Sequence, residues 1–95
     1  MPKGYFVGHI TVTDPEGYKE YVAKDTPILE GFGGKFIVRG GDSETPEGET
    51  LQRHVVIEFP SYAKLLEAYN SPEYQAVADI RKRCAESVIV LVEGT

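Results

Sequence analysis

Ninety-five residues leave room for one domain, 1–95, and 41% hydrophobic with 26% charged residues is the mix of an ordinary globular chain. Fifteen acids against ten bases give a net charge of −5, which argues against nucleic acid or an anionic membrane as partner. One cysteine, Cys84, excludes an internal disulfide and any multi-cysteine metal centre, and the apolar run Val88 to Val92 is far too short to span a bilayer.

Gly4 to Val12 alternates Phe6, Gly8, Ile10 and Val12 with Tyr5, Val7, His9 and Thr11, a period of two that predicts a strand. No apolar signal core precedes it, so a cytoplasmic chain is expected. Asp14-Pro15-Glu16 opens a helix: Asp14 caps, Pro15 fits the first turn, and Glu16 suits the positive end of the dipole. Tyr18, Tyr21, Val22, Ile28, Leu29 and Phe32 form its apolar stripe, and Pro27 is expected to kink or break it at Asp25-Thr26. Gly31-Phe32-Gly33-Gly34 ends the helix and is no nucleotide loop, since it leaves a helix instead of opening one.

A short strand over Lys35–Gly40 follows, then an acidic Gly/Pro-containing loop, 41–50, and a third strand over Leu51–Phe59. Ser61 caps a helix carrying Tyr62, Leu65, Leu66 and Tyr69. Ser71-Pro72 restarts it, with Tyr74, Val77, Ala78, Arg81, Cys84 and Ala85 along one side, and Val88–Glu93 is the fourth strand. The order β-α-β-β-α-β predicts an α+β, ferredoxin-like sandwich: a four-stranded antiparallel sheet, order 4-1-3-2, with two helices on one face. The other face should then read polar, yet both faces of the strands carry large apolar residues. A homodimer packed sheet to sheet is the expected answer, with Val7, Val56, Ile89 and Leu91 on the buried face.

Three groups of residues carry candidate chemistry. If His9 lies opposite His54 on the adjacent antiparallel strand, Tyr5 falls opposite Glu58, and all four groups share a face. His9, His54 and Glu58 are therefore candidate proton-transfer residues, with a hydrogen-bonded patch at the dimer contact as the plainer reading. A bound metal is not expected, because paired histidine ligands ordinarily come with tighter spacing. Arg39, beside Gly40-Gly41, is a candidate clamp for a ligand carboxylate, or else the partner of Glu58 or of a loop acid. Tyr5 and Tyr69 are candidate ligand contacts, Tyr69 because it borders the helix break at Asn70-Ser71-Pro72. Cys84 reads as a buried structural thiol.

Several blocks together resemble a known family. They are Lys3-Gly4-Tyr5-Phe6, Val12-Thr13-Asp14-Pro15, Tyr18-Lys19-Glu20-Tyr21, Gly33-Gly34-Lys35-Phe36 and Arg39-Gly40-Gly41, with Tyr69-Asn70-Ser71-Pro72-Glu73-Tyr74 and Val90-Leu91-Val92-Glu93-Gly94. The stretch from Glu58 to Tyr74 is the most specific. The chain resembles the Domain of Unknown Function 1330 family, within the dimeric α/β-barrel group of ferredoxin-like proteins. The resemblance implies two sheets facing one another with helices outside. The wider group includes cofactor-free monooxygenases of aromatic polyketides, muconolactone-isomerase-like enzymes and haem-dependent peroxidases, but the family brings no established reaction and no catalytic residue. The expectation is a homodimer that binds a small anionic or aromatic metabolite, without a cofactor. It is either an enzyme of proton-transfer or monooxygenase type or a non-catalytic ligand-binding or accessory dimer.

Overall fold

Strand β1 (Gly4–Val12) runs through the middle of a four-stranded antiparallel sheet, between β3 (Arg53–Phe59) and β4 (Ala85–Glu93), with β2 (Lys35–Arg39) on the outer edge of β3. The order β2-β3-β1-β4 is the expected one, read from the other edge. The computed structural model describes residues 2–95. Helices α1 (Pro15–Gly31), α2 (Tyr62–Asn70) and α3 (Pro72–Cys84) complete the chain, so the second helical region is two helices and not one.

The helix starts follow from their caps. The Asp14 side chain accepts from the Gly17 amide, Ser61 from Lys64, and Ser71 from Tyr74. Ser71 also donates to the Ala68 carbonyl, so its hydroxyl closes one helix while opening the next. Pro27 does not break α1, which continues to Gly31. The missing N–H costs one intrahelical bond, and the Thr26 hydroxyl, 2.8 Å from the Val22 carbonyl, adds a polar contact in the turn just before it. Gly17 marks where α1 meets the end of α3: a methyl there would collide with the Cys84 sulfur. Cys84 is buried in that contact, as a structural thiol would be.

Residues directly paired across antiparallel strands share a face. Phe6, Ile10, Val55, Ile57 and Phe59 accordingly meet Leu29, Leu65, Ala68, Tyr74 and Ala78 from the helices, and this is the core. Ile89 and Leu91 pack against the same core, because Ile89 pairs with Gly8 and Leu91 with Phe6. They are therefore not on the open face beside Val7 and Val56, contrary to the expectation from the sequence. The apolar residues of β4 that remain uncovered are Val88, Val90 and Val92, 52%, 45% and 44% exposed. Val90 pairs with Val7, which pairs in turn with Val56 and so with Val38 of β2. A bulge between Phe36 and Val38 leaves Ile37 exposed as well. The open face is thus a valine-rich band. No helix among the described residues is long and apolar enough to cross a membrane.

Candidate functional site

Along α1 the spacing Tyr18, Tyr21, Asp25, Leu29 puts four side chains on the face that meets the sheet, and all four are buried. Three are the apolar stripe read from the sequence. The fourth is a carboxylate, 4% exposed, which sequence reasoning passed over. Asp25 lines a small cavity of about 20 Å³ between α1 and the sheet, room for a single water. Tyr18, Tyr21, Phe36, Arg39 and Arg53 line it too, over a floor of Phe6, Ile10, Val55 and Ile57.

Arg39 reaches this cavity because it pairs with Val55 and so lies on the helix side of the sheet. Its guanidinium sits 4.0 Å from the centre of the Phe36 ring and donates to the Thr26 hydroxyl. Glu58 is on the other face, where Lys3 holds it at 3.1 Å, so the alternative pairing of Arg39 with Glu58 does not form. Arg53 comes from the neighbouring strand, 5.8 Å from the Tyr18 ring, and lies against Gly40, whose φ of +69° and missing side chain leave the space. Its Nε is buried without a hydrogen-bond partner.

Burial decides the electrostatics of the pocket. It pushes the Asp25 carboxyl up to about 6, against polar contacts from Tyr21 and Thr26 and the pull of Arg39 and Arg81. None of the ion pairs among the described residues involves Asp25. Behind it the Tyr21 and Tyr74 hydroxyls are 2.7 Å apart. Burial pushes both phenols up, Tyr74 to about 12, and it also raises Tyr18 in spite of Arg53. The pocket therefore offers a carboxyl able to change protonation state near neutrality and two arginines able to hold an anion.

The remaining candidates are placed as follows. The register sets His9 opposite His54 and Tyr5 opposite Glu58 on the open face. The two Nδ1 atoms are 2.9 Å apart, and the Tyr5 hydroxyl donates to Glu58 at 3.2 Å. The four do not form one cluster: the Val7–Val56 pair separates two polar pairs, four residues or about 13 Å apart along the strand. Lys3 holds Glu58 below the usual carboxylate range. Among the described residues no three His, Cys, Asp or Glu side chains converge as a metal site. His9 borders a wide, open hollow with Glu49, Thr50, Leu51 and Val88. Tyr69 packs on Phe6 and Tyr74 under α2 and lines a separate cavity against β4.

Sequence reasoning missed Asp25 and Arg53, and placed Arg81 on a helix stripe without a role. Asp25 and Arg81 both carried a signal: they are charged residues at stripe positions of helices that are otherwise buried there.

The family model of a domain of unknown function (DUF1330) matches residues 3–95. The chain belongs to the DUF1330 family. No curated protein is detectably similar in sequence. Among solved structures, the RPA0582 protein of unknown function from Rhodopseudomonas palustris superposes with a TM-score of 0.78 at 19% identity, covering 99% of this chain and 83% of that one. SnoaB, a cofactor-independent oxygenase from Streptomyces nogalater, gives 0.68 at 15% identity over 100% and 95% of the two chains. A dimeric protein of unknown function and ferredoxin-like fold from Bacteroides fragilis gives 0.55 at 16% over 96% and 95%. At these identities the likeness is one of fold, and this DUF1330 chain shares the ferredoxin-like architecture with them.

Proposed function

We propose that this protein is a cytoplasmic homodimer, joined through its open sheet face, which binds a small anionic or aromatic metabolite between α1 and the sheet. There it moves a proton on the ligand through Asp25, without a cofactor. The observation that carries the reading is a buried carboxyl with no ion-pair partner, facing a cavity that two arginines also line. Burial raises the carboxyl to about 6, so at neutral pH it is mainly ionised and yet a stronger base than an ordinary carboxylate. It would take a proton from an activated C–H of the ligand, leaving the electron pair as an enolate whose oxygen Arg39 and Arg53 can hold. The resulting acid can return the proton at another carbon. A monooxygenase reaction on an activated aromatic ring would begin with the same proton removal, and SnoaB is described as working without a cofactor.

The closed cavity admits only a water. Arg39 is its exposed cover, so entry of a ligand requires the guanidinium to leave Phe36 and Thr26. The dimer half of the reading rests on the band of Val88, Val90, Val92 and Val38 left open to water, and on the dimeric fold neighbour. The alternative, a non-catalytic binding dimer, draws its support from the small cavity volume and shares the same pocket.

Benzoate is a suitable probe, followed by amide NMR. It should shift residues of α1 and β2, and bind more tightly at pH 5 than at pH 8, because an anion beside Asp25 favours the protonated carboxyl. Arg39→Ala should weaken it about tenfold while costing only about 0.5–1 kcal/mol of stability through the lost ring contact. A folded Arg39→Ala dimer with undiminished benzoate affinity would overturn the site assignment.

A further inference from the structure

A second cavity of about 420 Å³ opens between the helices and β4, lined by Tyr69, Arg81, Lys82, Ala85, Ser87 and Ile89. Three buried side-chain polar atoms among the described residues lack a hydrogen-bond partner, and two of them, Arg81 Nε and Ser87 Oγ, belong to residues of this lining. Arg81 is 2% exposed and takes part in none of the ion pairs among the described residues, although Asp25 feels its charge and its guanidinium lies 5.7 Å from the centre of the Tyr21 ring. A buried guanidinium ordinarily sits against an anion, and a buried hydroxyl ordinarily finds a partner. The lining residues bring two cations, a serine hydroxyl and a phenol, and no carboxylate. Ala85 and Ile89 add an apolar wall.

We infer that this cavity is an anion site for a phosphoryl group carried on a small organic molecule. Arg81 and Ser87, whose unpaired atoms are shielded from water in the free protein, turn to the oxygens as the ligand enters. Lys82 supplies the second positive charge at the exposed rim, and the organic part rests on Ile89 and Tyr69. Two cations suit a dianion better than a carboxylate. The volume exceeds what a bare phosphate fills, which leaves space for the rest of the ligand. These six residues do not line the cavity at Asp25, but Arg81 also pulls on that carboxyl, so Ser87→Ala is the variant that tests this site apart from the function proposed above.

Isothermal titration of the full chain with inorganic phosphate at pH 7.5 tests it. One saturable site per chain is expected, weakened about tenfold by Arg81→Lys, which keeps the charge and loses the fork, and about fivefold by Ser87→Ala. Arg39→Ala should leave phosphate binding unchanged, whatever it does to benzoate. Acetate should bind at least about tenfold more weakly than phosphate. Should Arg81→Lys fail to fold, Ser87→Ala and the amide shifts that phosphate induces in the wild type decide the matter; these shifts should centre on residues 81–89. No saturation by about 10 mM phosphate, an unaltered affinity in folded Ser87→Ala, acetate binding as tightly as phosphate, or shifts centred on Arg39 and Arg53 would each overturn the assignment.

Discussion

Replacing Asp25 by asparagine should make this protein more stable in alkaline solution and leave it unchanged in acid. The carboxyl moves from 3.8 to about 6 on folding because it is buried. A group whose folded value is raised holds its proton more tightly in the native state, so its contribution is complete below pH 4 and is lost as pH rises through 6. At about 1.4 kcal/mol for each tenfold change in proton affinity, the wild type gives up about 3 kcal/mol across that window. The substituted amide keeps the size and can still accept from Thr26, which donates to Asp25 at 3.2 Å, but it has no charge to desolvate. The value of about 6 already includes the attraction of Arg39 and Arg81, and burying the new amide N–H group reduces the gain, so a stabilisation of about 1–3 kcal/mol at pH 8 is expected. Urea unfolding at pH 4 and pH 8, at one protein concentration so that assembly contributes equally, gives the difference directly. A gap between variant and wild type that does not widen from pH 4 to pH 8 would refute the reasoning. The same substitution should abolish proton transfer in the pocket, so stability and activity are expected to move in opposite directions.

Other perturbations separate the two faces of the sheet. Val90→Lys should dissociate the dimer in sedimentation while leaving a folded chain, whereas Leu91→Lys, on the core side, should unfold it by about 2–5 kcal/mol in a denaturant melt. Gly17→Ala should lower the thermal midpoint, costing about 1–3 kcal/mol, because the added methyl meets the Cys84 sulfur where α1 and α3 touch. Amides of the exposed, acidic stretch 41–50 should exchange faster than those of any strand, and slow exchange there would contradict its reading as an open connection.

The architecture was legible because local signals agreed with one another: Asp14-Pro15, Ser61 and Ser71-Pro72 mark the helix starts they form. Strand direction and the two-residue repeat left the pairing of His9 with His54 as one register among several, and the structure selects it. Which face of β4 is covered was not legible, since Val88 and Ile89 are equally apolar and only the register against β1 distinguishes them. Pro27 misled because helix propensity is local, while α1 is held by burial of Tyr18, Tyr21 and Leu29 along its length. Asp25 was overlooked for a related reason. A charged residue inside an apolar stripe looks like an interruption until the arginines of two distant strands arrive opposite it.

The His9–His54 contact makes two identical side chains chemically unlike. A bond between two Nδ1 atoms needs a proton on one of them and a lone pair on the other, so the neutral rings must be different tautomers. The ring that donates keeps a lone pair on its Nε2, and the ring that accepts carries its proton there, so the pair has one acceptor and one donor left over for whatever covers that face.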